Sequence, residues 1–417
     1  MRATAFALAA RGAAVTLGAT EQINRSVRRA RPRAPGSDGK VAMAHGPPSG
    51  SPGVSGVQPA TAAGAGDDRA RQPHRPRRLY AALDLGTNNC RLLVAKPEGA
   101  SFRVVDAFSR IVRLGEGLGQ TGRLSDAAMD RAVEALKVCR MKLRDRQVAR
   151  ARLIATEACR QATNGEEFIH RVKDETGLAL EIVDRHTEAQ LAAQGCVPLA
   201  DPKARGVILF DIGGGSSELV WLLPRGPGRN GGPPTAEILG WTSLPVGVVT
   251  LAERHDGKHV TRESFDRMVD EVAAMIEPFA HRAAIQGQIE HLHMLGTSGT
   301  VTTLAGVHLG LPKYDRRRVD GAWLGANEVD VILDQLLAMT YEDRIAHPCI
   351  GAERADLVLA GCAILEGMRR HFPCQRLRVA DRGLREGILV GLMRQDGVWR
   401  RPFHHRPHDS GYQGERR

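Results

Sequence analysis

Two short stretches of the sequence join an aspartate to a turn of small polar residues, which suits phosphate and metal chemistry. In residues 79–94 (LYAALDLGTNNCRLLV), an apolar run delivers Asp84 onto a polar turn, and a second apolar run follows. This pattern predicts a strand, a hairpin turn and another strand. Free amides and hydroxyls on such a turn can bind phosphate. The phosphate-binding candidates here are Gly86, Thr87, Asn88 and Asn89.

Residues 206–221 (GVILFDIGGGSSELVW) repeat the same pattern, with Asp211 at the end of the first apolar run and Glu218 after the turn. A fold that makes one hairpin twice is predicted to be duplicated. Two such turns facing each other across a cleft would hold phosphates and a metal ion. The candidates on the second turn are Gly213, Gly214, Gly215, Ser216 and Ser217.

A third glycine turn follows the apolar segment 291–296 and precedes a predicted helix over residues 300–309. Small residues and free amides at a helix N-terminus form an anion site. The candidates are Thr297, Ser298 and Gly299. The pattern fits an ordinary strand-to-helix turn equally well.

Two charged residues stand near the ends of further predicted strands. Arg160 follows the strand over residues 152–155, where its guanidinium fork could clamp an oxyanion. Glu188 lies in the first turn of a helix that Thr187 is predicted to cap. Solvated arginines and acidic residues are common at helix starts. The residues alone therefore leave both the functional and the ordinary interpretation open.

Length and composition indicate a globular protein of two domains, since the chain has 417 residues and is 42% hydrophobic. The formal net charge of +11 is concentrated at the ends: residues 1–78 hold 13 Lys or Arg against 4 Asp or Glu, and residues 397–417 hold 5 against 2. The body between them is therefore nearly neutral. The seven scattered cysteines include no C-x-x-C pair, which predicts a reducing, cytoplasmic setting. No apolar run is long enough to cross a bilayer, so no membrane partner is expected.

Both ends of the chain are predicted to be disordered. Residues 1–78 are rich in Ala, Gly, Pro and Arg and have almost no large apolar residue after Val41. They could form a basic arm that touches nucleic acid, or they could be a solvated tail. A third alternative is that the start codon is assigned too far upstream and that translation begins at Met43. Because no aromatic residues are interleaved for base stacking, a nucleic-acid partner is not expected. Residues 397–417 are predicted to be a basic tail.

Seven motifs in this order and spacing resemble the Ppx/GppA family of exopolyphosphatases and guanosine pentaphosphate phosphohydrolases: DLGTNN, TEACRQATNG, TEAQ, DIGGGSSEL, LPVG, GTSGTVTTLA and DRGLREG. The resemblance covers about residues 79–393. It implies an α/β fold of two ribonuclease H-like halves around a cleft, as in actin, heat-shock ATPases and sugar kinases. It implies actin-like domains over residues 79–190 and 191–382, with a last helix, 383–396, returning to the first.

The resemblance also implies roles for single residues. Asp84, Asp211 and Glu218 would lie near a divalent cation, expected to be Mg²⁺. Glu188 matches the family's general base, and Arg160 matches the arginine that holds phosphate. Where the family has Glu-Glu-Ala-Arg, residues 187–190 read TEAQ, so the substrate contact of the missing arginine is lost.

The favoured function is therefore an exopolyphosphatase that removes the terminal phosphate of inorganic polyphosphate by attack of water. The same chemistry on guanosine pentaphosphate is the near alternative, because both substrates present a terminal phosphoanhydride to one cleft. An actin-like kinase or ATPase is an alternative of another reaction class, and a polyanion-binding module acting through the basic arm is a third. A homodimer is left open.

Overall fold

The computed structural model describes residues 78–226, 228, 231–282 and 292–399. The predicted disordered extension, residues 1–78, and the predicted tail, residues 397–417, lie almost wholly outside these ranges. Within the ranges, every helix is too short or too polar to cross a lipid bilayer.

The first sheet has five strands in the order β3–β2–β1–β4–β5. They are β1 (Tyr80–Leu85), β2 (Asn89–Glu98), β3 (Ser101–Ile111), β4 (Arg150–Ala155) and β5 (Glu181–Ile182). The central strand β1 pairs antiparallel with β2 and parallel with β4. Its residues are apolar on both faces apart from Asp84, because helices cover both sides of the sheet.

The second sheet has six strands in the order β10–β11–β9–β6–β7–β8. They are β6 (Gly206–Ile212), β7 (Ser217–Arg225), β8 (Thr235–Leu244), β9 (Leu292–Thr297), β10 (Trp323–Gly325) and β11 (Arg376–Ala380). Strand β6 pairs antiparallel with β7 and parallel with β9, so the two sheets repeat one pattern around their first strands. The predicted duplicated α/β fold is therefore confirmed.

Helices cover both sheets. They are α1 (Leu118–Thr121), α2 (Asp126–Asp145), α3 (Glu157–Gln161), α4 (Gly165–Thr176), α5 (Arg185–Cys196), α6 (Val248–His255), α7 (Arg262–Arg282), α8 (Gly299–His308), α9 (Arg316–Val319), α10 (Ala326–Ala338), α11 (Tyr341–Ala346), α12 (Val358–His371) and α13 (Leu384–Gln395). Helices α2 and α4 share a core with one face of the first sheet, and α7, α8 and α12 share the largest core with the second. The predicted domain boundaries stay a prediction.

Helix α5 packs against both halves of the molecule. Its Leu191 joins a core with Tyr80 of β1 and Ile388 of α13, while Ala193 joins a core with Val207 of β6. Because Glu188 lies on this same helix, the packing holds that side chain between the two sheets.

Helices α5 and α13 cross with their backbones in contact. A Cβ atom on Gly387 would lie 1.9 Å from the carbonyl oxygen of Leu191, and one on Gly195 would lie 1.9 Å from that of Gly383. Only glycine fits such a crossing, because carbon and oxygen do not approach so closely. The crossing fixes how deep α5 sits against α13.

Gly387→Ala is expected to destabilise the protein by about 3 kcal/mol, since the added methyl group forces the two helices apart. Gly391→Ala on the same helix is the matched control, because its Cβ would meet only the side chain of Gln194, at 3.8 Å. It should leave stability unchanged or raise it by up to about 1 kcal/mol. Urea unfolding measures the free energy of unfolding of both variants. Equal stability of the two variants would contradict the backbone contact.

Candidate active site

The two predicted turns have the same construction. In the first, the N–H of Gly86 donates to the carbonyl of Asn89 at 2.9 Å. In the second, the N–H of Gly213 donates to the carbonyl of Ser216, also at 2.9 Å. Each bond closes the hairpin directly after an aspartate-bearing strand, as the sequence predicts.

The turns meet in the middle of the molecule. The Thr87 side chain packs on Gly214 and Gly215, where an added Cβ would lie 2.9 Å from the Thr87 Cβ and 3.0 Å from its Oγ1, respectively. A larger residue at either position would push the Thr87 side chain away from the second turn. Beside this contact lies a cavity of about 640 Å³. Its volume is within the range of small-molecule sites.

The cavity brings together most of the residues that the sequence analysis singled out. Those that line it are Asp84, Gly86, Thr87, Asn88, Asn89, Glu188, Asp211, Gly213, Gly214, Gly215, Ser216, Glu218, Thr297, Ser298 and Gly299. Arg160 and Ser217 are not among its lining residues. The Ser217 hydroxyl is buried and donates to the carbonyl of Val246 at 2.7 Å.

Strand register explains why charged groups gather here. Asp84 is paired with Arg91 across the first hairpin, and Asp211 is paired with Glu218 across the second. Directly opposite residues of an antiparallel pair project from the same face. Asp211 is also paired with Thr297 on β9, so the third turn ends beside the second.

The carboxylates of the cavity repel one another. Desolvation and then the charges of Glu188 and Asp84 raise the pKa of Asp211 to about 7. Desolvation and then Asp211 raise the pKa of Glu218 to about 7, although the hydroxyls of Ser216 and Ser243 donate to its Oε1. Desolvation and then Glu218 also raise the pKa of Glu188 well above its usual value. A cation in the cavity would relieve this repulsion.

The donor set fits Mg²⁺. In the part of the chain that the structure describes, no three His, Cys, Asp or Glu side chains form a cluster that could hold a metal ion by themselves. Mg²⁺ is commonly bound by one or two carboxylates, waters and the phosphates of a substrate. Asp84 and Asp211 accept no side-chain hydrogen bond among the described residues, so their oxygens remain available.

A buried glutamate that the sequence analysis missed organises the general-base candidate. Glu157 accepts from Arg160 Nε at 3.0 Å and from Arg185 Nη2 at 2.5 Å. Arg160 also donates from Nη2 to Oε2 of Glu188 at 3.1 Å and from Nη1 to the carbonyl of Val183 at 2.5 Å. Burial alone would raise the pKa of Glu157, but the hydrogen bonds and charges of Arg185 and Arg160 lower this pKa below its ordinary value.

These contacts show how Arg160 and Glu188 are held. The family resemblance implies that Arg160 holds phosphate, whereas its guanidinium is bound to Glu157, Glu188 and the backbone. Helix α5 begins at Arg185, and its cap is Asp184, whose Oδ1 accepts from the Thr187 N–H at 2.6 Å. The prediction of Thr187 as the cap was wrong, because the aspartate three residues earlier reaches that amide first.

Of the five arginines that line the cavity, Arg316 and Arg382 are bound to carboxylates, and the remaining three are Arg91, Arg354 and Arg385. Among the described residues, none of these guanidinium groups has a hydrogen-bond or ion-pair partner. Burial lowers the pKa of Arg385, while the nearby Glu386 and Asp84 oppose that shift. Unpaired guanidinium groups are suited to phosphate. The pairing of Arg91 with Asp84 in the hairpin was the signal that could have identified it.

The last motif, DRGLREG, has a structural explanation. Glu386 is buried, and its Oε2 accepts from the N–H of Gly383 at 2.9 Å, which caps α13. Its Oε1 accepts from Arg316 at 3.0 Å. The motif therefore fixes the start of α13, and with it the position of Arg385.

Comparisons with known proteins agree on one family. A family model described as the Ppx/GppA phosphatase family matches residues 93–396. A guanosine-5'-triphosphate,3'-diphosphate pyrophosphatase from Aeromonas salmonicida is 29% identical over 316 residues, which cover 76% of this chain and 59% of that relative. The chain thus spans well under two thirds of that relative's length.

Two solved structures are similar over most of the described fold. A Ppx/GppA family member from Aquifex aeolicus is 28% identical, with 77% of this chain and 99% of that chain covered and a TM-score of 0.63. An exopolyphosphatase from Cytophaga hutchinsonii is 26% identical, with coverages of 77% and 98% and a TM-score of 0.67.

Glu157→Gln is expected to lower the free energy of unfolding by about 2 kcal/mol at neutral pH, because two arginines lose their buried anion. Glu157 has a lowered pKa, so its contribution is full above the ordinary glutamate pKa of 4.5 and is lost as the pH falls further. The difference in the free energy of unfolding between the parent and the variant should therefore become smaller in acid. Urea unfolding across pH measures it, with the exposed Glu166→Gln as control. A difference that grows in acid would contradict this assignment.

Proposed function

The chain belongs to the Ppx/GppA phosphatase family, and from this premise we propose that it is a phosphoanhydride hydrolase that removes the terminal phosphate of inorganic polyphosphate. The observation that carries the proposal is the joint presence, in one cavity, of two phosphate turns, a set of carboxylates and three unpaired guanidinium groups. A phosphoanhydride chain combines dense negative charge with bound cations, and this cavity offers groups for both.

The chemistry assigned to the cavity is displacement at phosphorus by water. The water oxygen forms a bond to the terminal phosphorus as the bridging P–O bond breaks, and the shortened chain leaves with that electron pair. Glu188 accepts the proton of the attacking water. Its raised pKa makes it a stronger base than an ordinary glutamate. Arg160 holds Glu188 in place through the 3.1 Å hydrogen bond.

The turns and the arginines stabilise the transferred phosphoryl group. Amides of residues 87–89 and 214–216 and the guanidinium of Arg91 would carry the charge that spreads over its oxygens. Asp84 and Asp211 would hold Mg²⁺ together with phosphate oxygens of the substrate, with Glu218 beside them. When bound, such an ion neutralises the charge of the phosphate oxygens.

Guanosine pentaphosphate is the second candidate substrate. The Aeromonas salmonicida relative is named for this nucleotide. One part of the cavity beside Arg354 is lined by Pro348, Ile350 and Leu357, which could contact a nucleoside. Both substrates would present the same terminal phosphoanhydride to Glu188.

The setting we propose is the cytoplasm. All seven cysteines are buried and unpaired, although Cys90 and Cys139 lie with their sulfur atoms 4.0 Å apart. Free thiols persist in reducing compartments.

Glu188→Gln is expected to reduce phosphate release by a factor of about 10² to 10⁴, the usual contribution of a general base. Phosphate release from long-chain polyphosphate, tripolyphosphate, guanosine pentaphosphate and ATP, with and without Mg²⁺, measures it. The assay also separates the substrate candidates, and turnover of ATP alone would favour the kinase or ATPase alternative.

Glu166→Gln is the matched control, since Glu166 is an exposed carboxylate outside the cavity. It should release phosphate at the parent rate. If Glu188→Gln is as fast as the parent, Glu188 is not the base and the mechanism fails.

Arg91→Gln is expected to raise the KM for polyphosphate at least about tenfold, because a charge-assisted contact to phosphate is lost. Lys96→Gln on the same strand is the control, since Lys96 does not line the cavity. Steady-state phosphate release measures both variants. An unchanged KM in Arg91→Gln would show that Arg91 does not contact substrate.

A further inference from the structure

A basic segment adjoins the residues that line the cavity. Tyr314 and Arg316 line it, and the neighbouring Lys313, Arg317 and Arg318 are exposed. We call these last three side chains the basic surface. Since they directly flank the lining residues Tyr314 and Arg316 in the chain, the basic surface lies at the edge of the cavity.

Acidic residues nearby do not neutralise the basic surface. Asp315 caps α9 by accepting from the backbone N–H of Arg317 at 2.9 Å. Asp320 is bound to Arg382, and Asp381 accepts from the Tyr314 hydroxyl at 2.6 Å. Within the described ranges, the side chains of the basic surface have no hydrogen-bond or ion-pair partner.

Another arginine, Arg378, extends the positive charge away from the cavity. Arg378 packs over Trp323 at 4.7 Å, and its Nε is buried without a hydrogen-bond partner in the described structure. Its guanidinium lies beside Gly321, where an added Cβ would be 3.3 Å from Nη2. Gly321 follows α9 closely in the chain, so the charge continues from the basic surface onto β11.

We infer that the basic surface binds the inner phosphates of a polyphosphate chain whose terminal phosphate lies in the cavity. This inference rests on the proposed function. A cavity of about 640 Å³ is the size of a small-molecule site, so a long chain must leave it and cross the surrounding surface. Unpaired lysine and arginine side chains there lower the free energy of the bound polyanion by releasing its counterions.

The occupant is a phosphate chain rather than single-stranded nucleic acid. Surfaces for single-stranded nucleic acid interleave basic groups with several stacking aromatic rings. Tyr314 is the only aromatic residue in the segment 311–320, and its hydroxyl is held by Asp381. Continuity with a phosphate cavity favours the inorganic chain.

The test compares binding of long-chain polyphosphate and tripolyphosphate to the full chain in EDTA, where binding is read without turnover. In the triple variant Lys313→Gln, Arg317→Gln, Arg318→Gln, the Kd for the long chain should rise about tenfold, and its dependence on salt should weaken. Tripolyphosphate affinity should not change, because that ligand fits within the cavity.

The matched control neutralises Lys173, Lys203 and Arg205, which are exposed and do not line the cavity. It should bind both ligands as the parent does.

Equal losses of long-chain affinity in the two triple variants, or an unchanged Kd for the long chain in the basic-surface variant, would overturn the inference. Loss of binding to single-stranded RNA with polyphosphate binding intact would also overturn it. Absence of phosphate release by the parent would contradict the proposed function, but the binding result would still decide this inference.

Discussion

Repulsion among carboxylates in one cavity is the constraint on which the rest of this structure depends. Desolvation and neighbouring negative charges raise the pKa values of Asp211, Glu218 and Glu188 together. Such a cluster is favourable only where positive charge meets it. The chain supplies part of that charge through Arg160 on Glu188 and through Arg91 beside the first turn. Under the proposed function, a bound divalent cation would supply the remainder.

Duplication of the hairpin explains how the charges are divided between the two halves. Each half places an aspartate at the end of its first strand and another charged residue directly opposite it. In the first half the opposite residue is Arg91, and in the second it is Glu218. The backbone of the turn is the same in both, because each begins with a glycine amide that bonds the fourth residue of the turn. The residue opposite the aspartate thus carries positive charge in one half and negative charge in the other.

Local patterns predicted the hairpins, the duplication and most of the cavity, because strand, turn and strand are encoded within about sixteen contiguous residues of sequence. The environment of Arg160 could not be predicted in the same way. Its partners come from three elements, and only the spacing of Glu157 and Arg160, three residues apart on one helix, was visible in the sequence. For Ser217, the residue type alone was misleading. A serine suits a phosphate turn, but strand alternation directs the Ser217 hydroxyl to the carbonyl of Val246. The proposed role of Glu188 as the base followed only from the family resemblance, since its position at a helix start is ordinary.

The contact between the two turns bears on why cleavage would occur at the end of a chain. Thr87 packs directly on Gly214 and Gly215, where an added Cβ would lie only 2.9 Å and 3.0 Å from the Thr87 side chain. Elsewhere across the same cleft, the side chain of Arg113 lies 3.2 Å from the carboxylate of Asp356. A linear polyanion cannot pass between surfaces in van der Waals contact, so it cannot thread through the cleft beyond the turns. Under the proposed function, the reacting phosphate would then be the terminal one, with the remainder of the chain extending back through the mouth of the cavity.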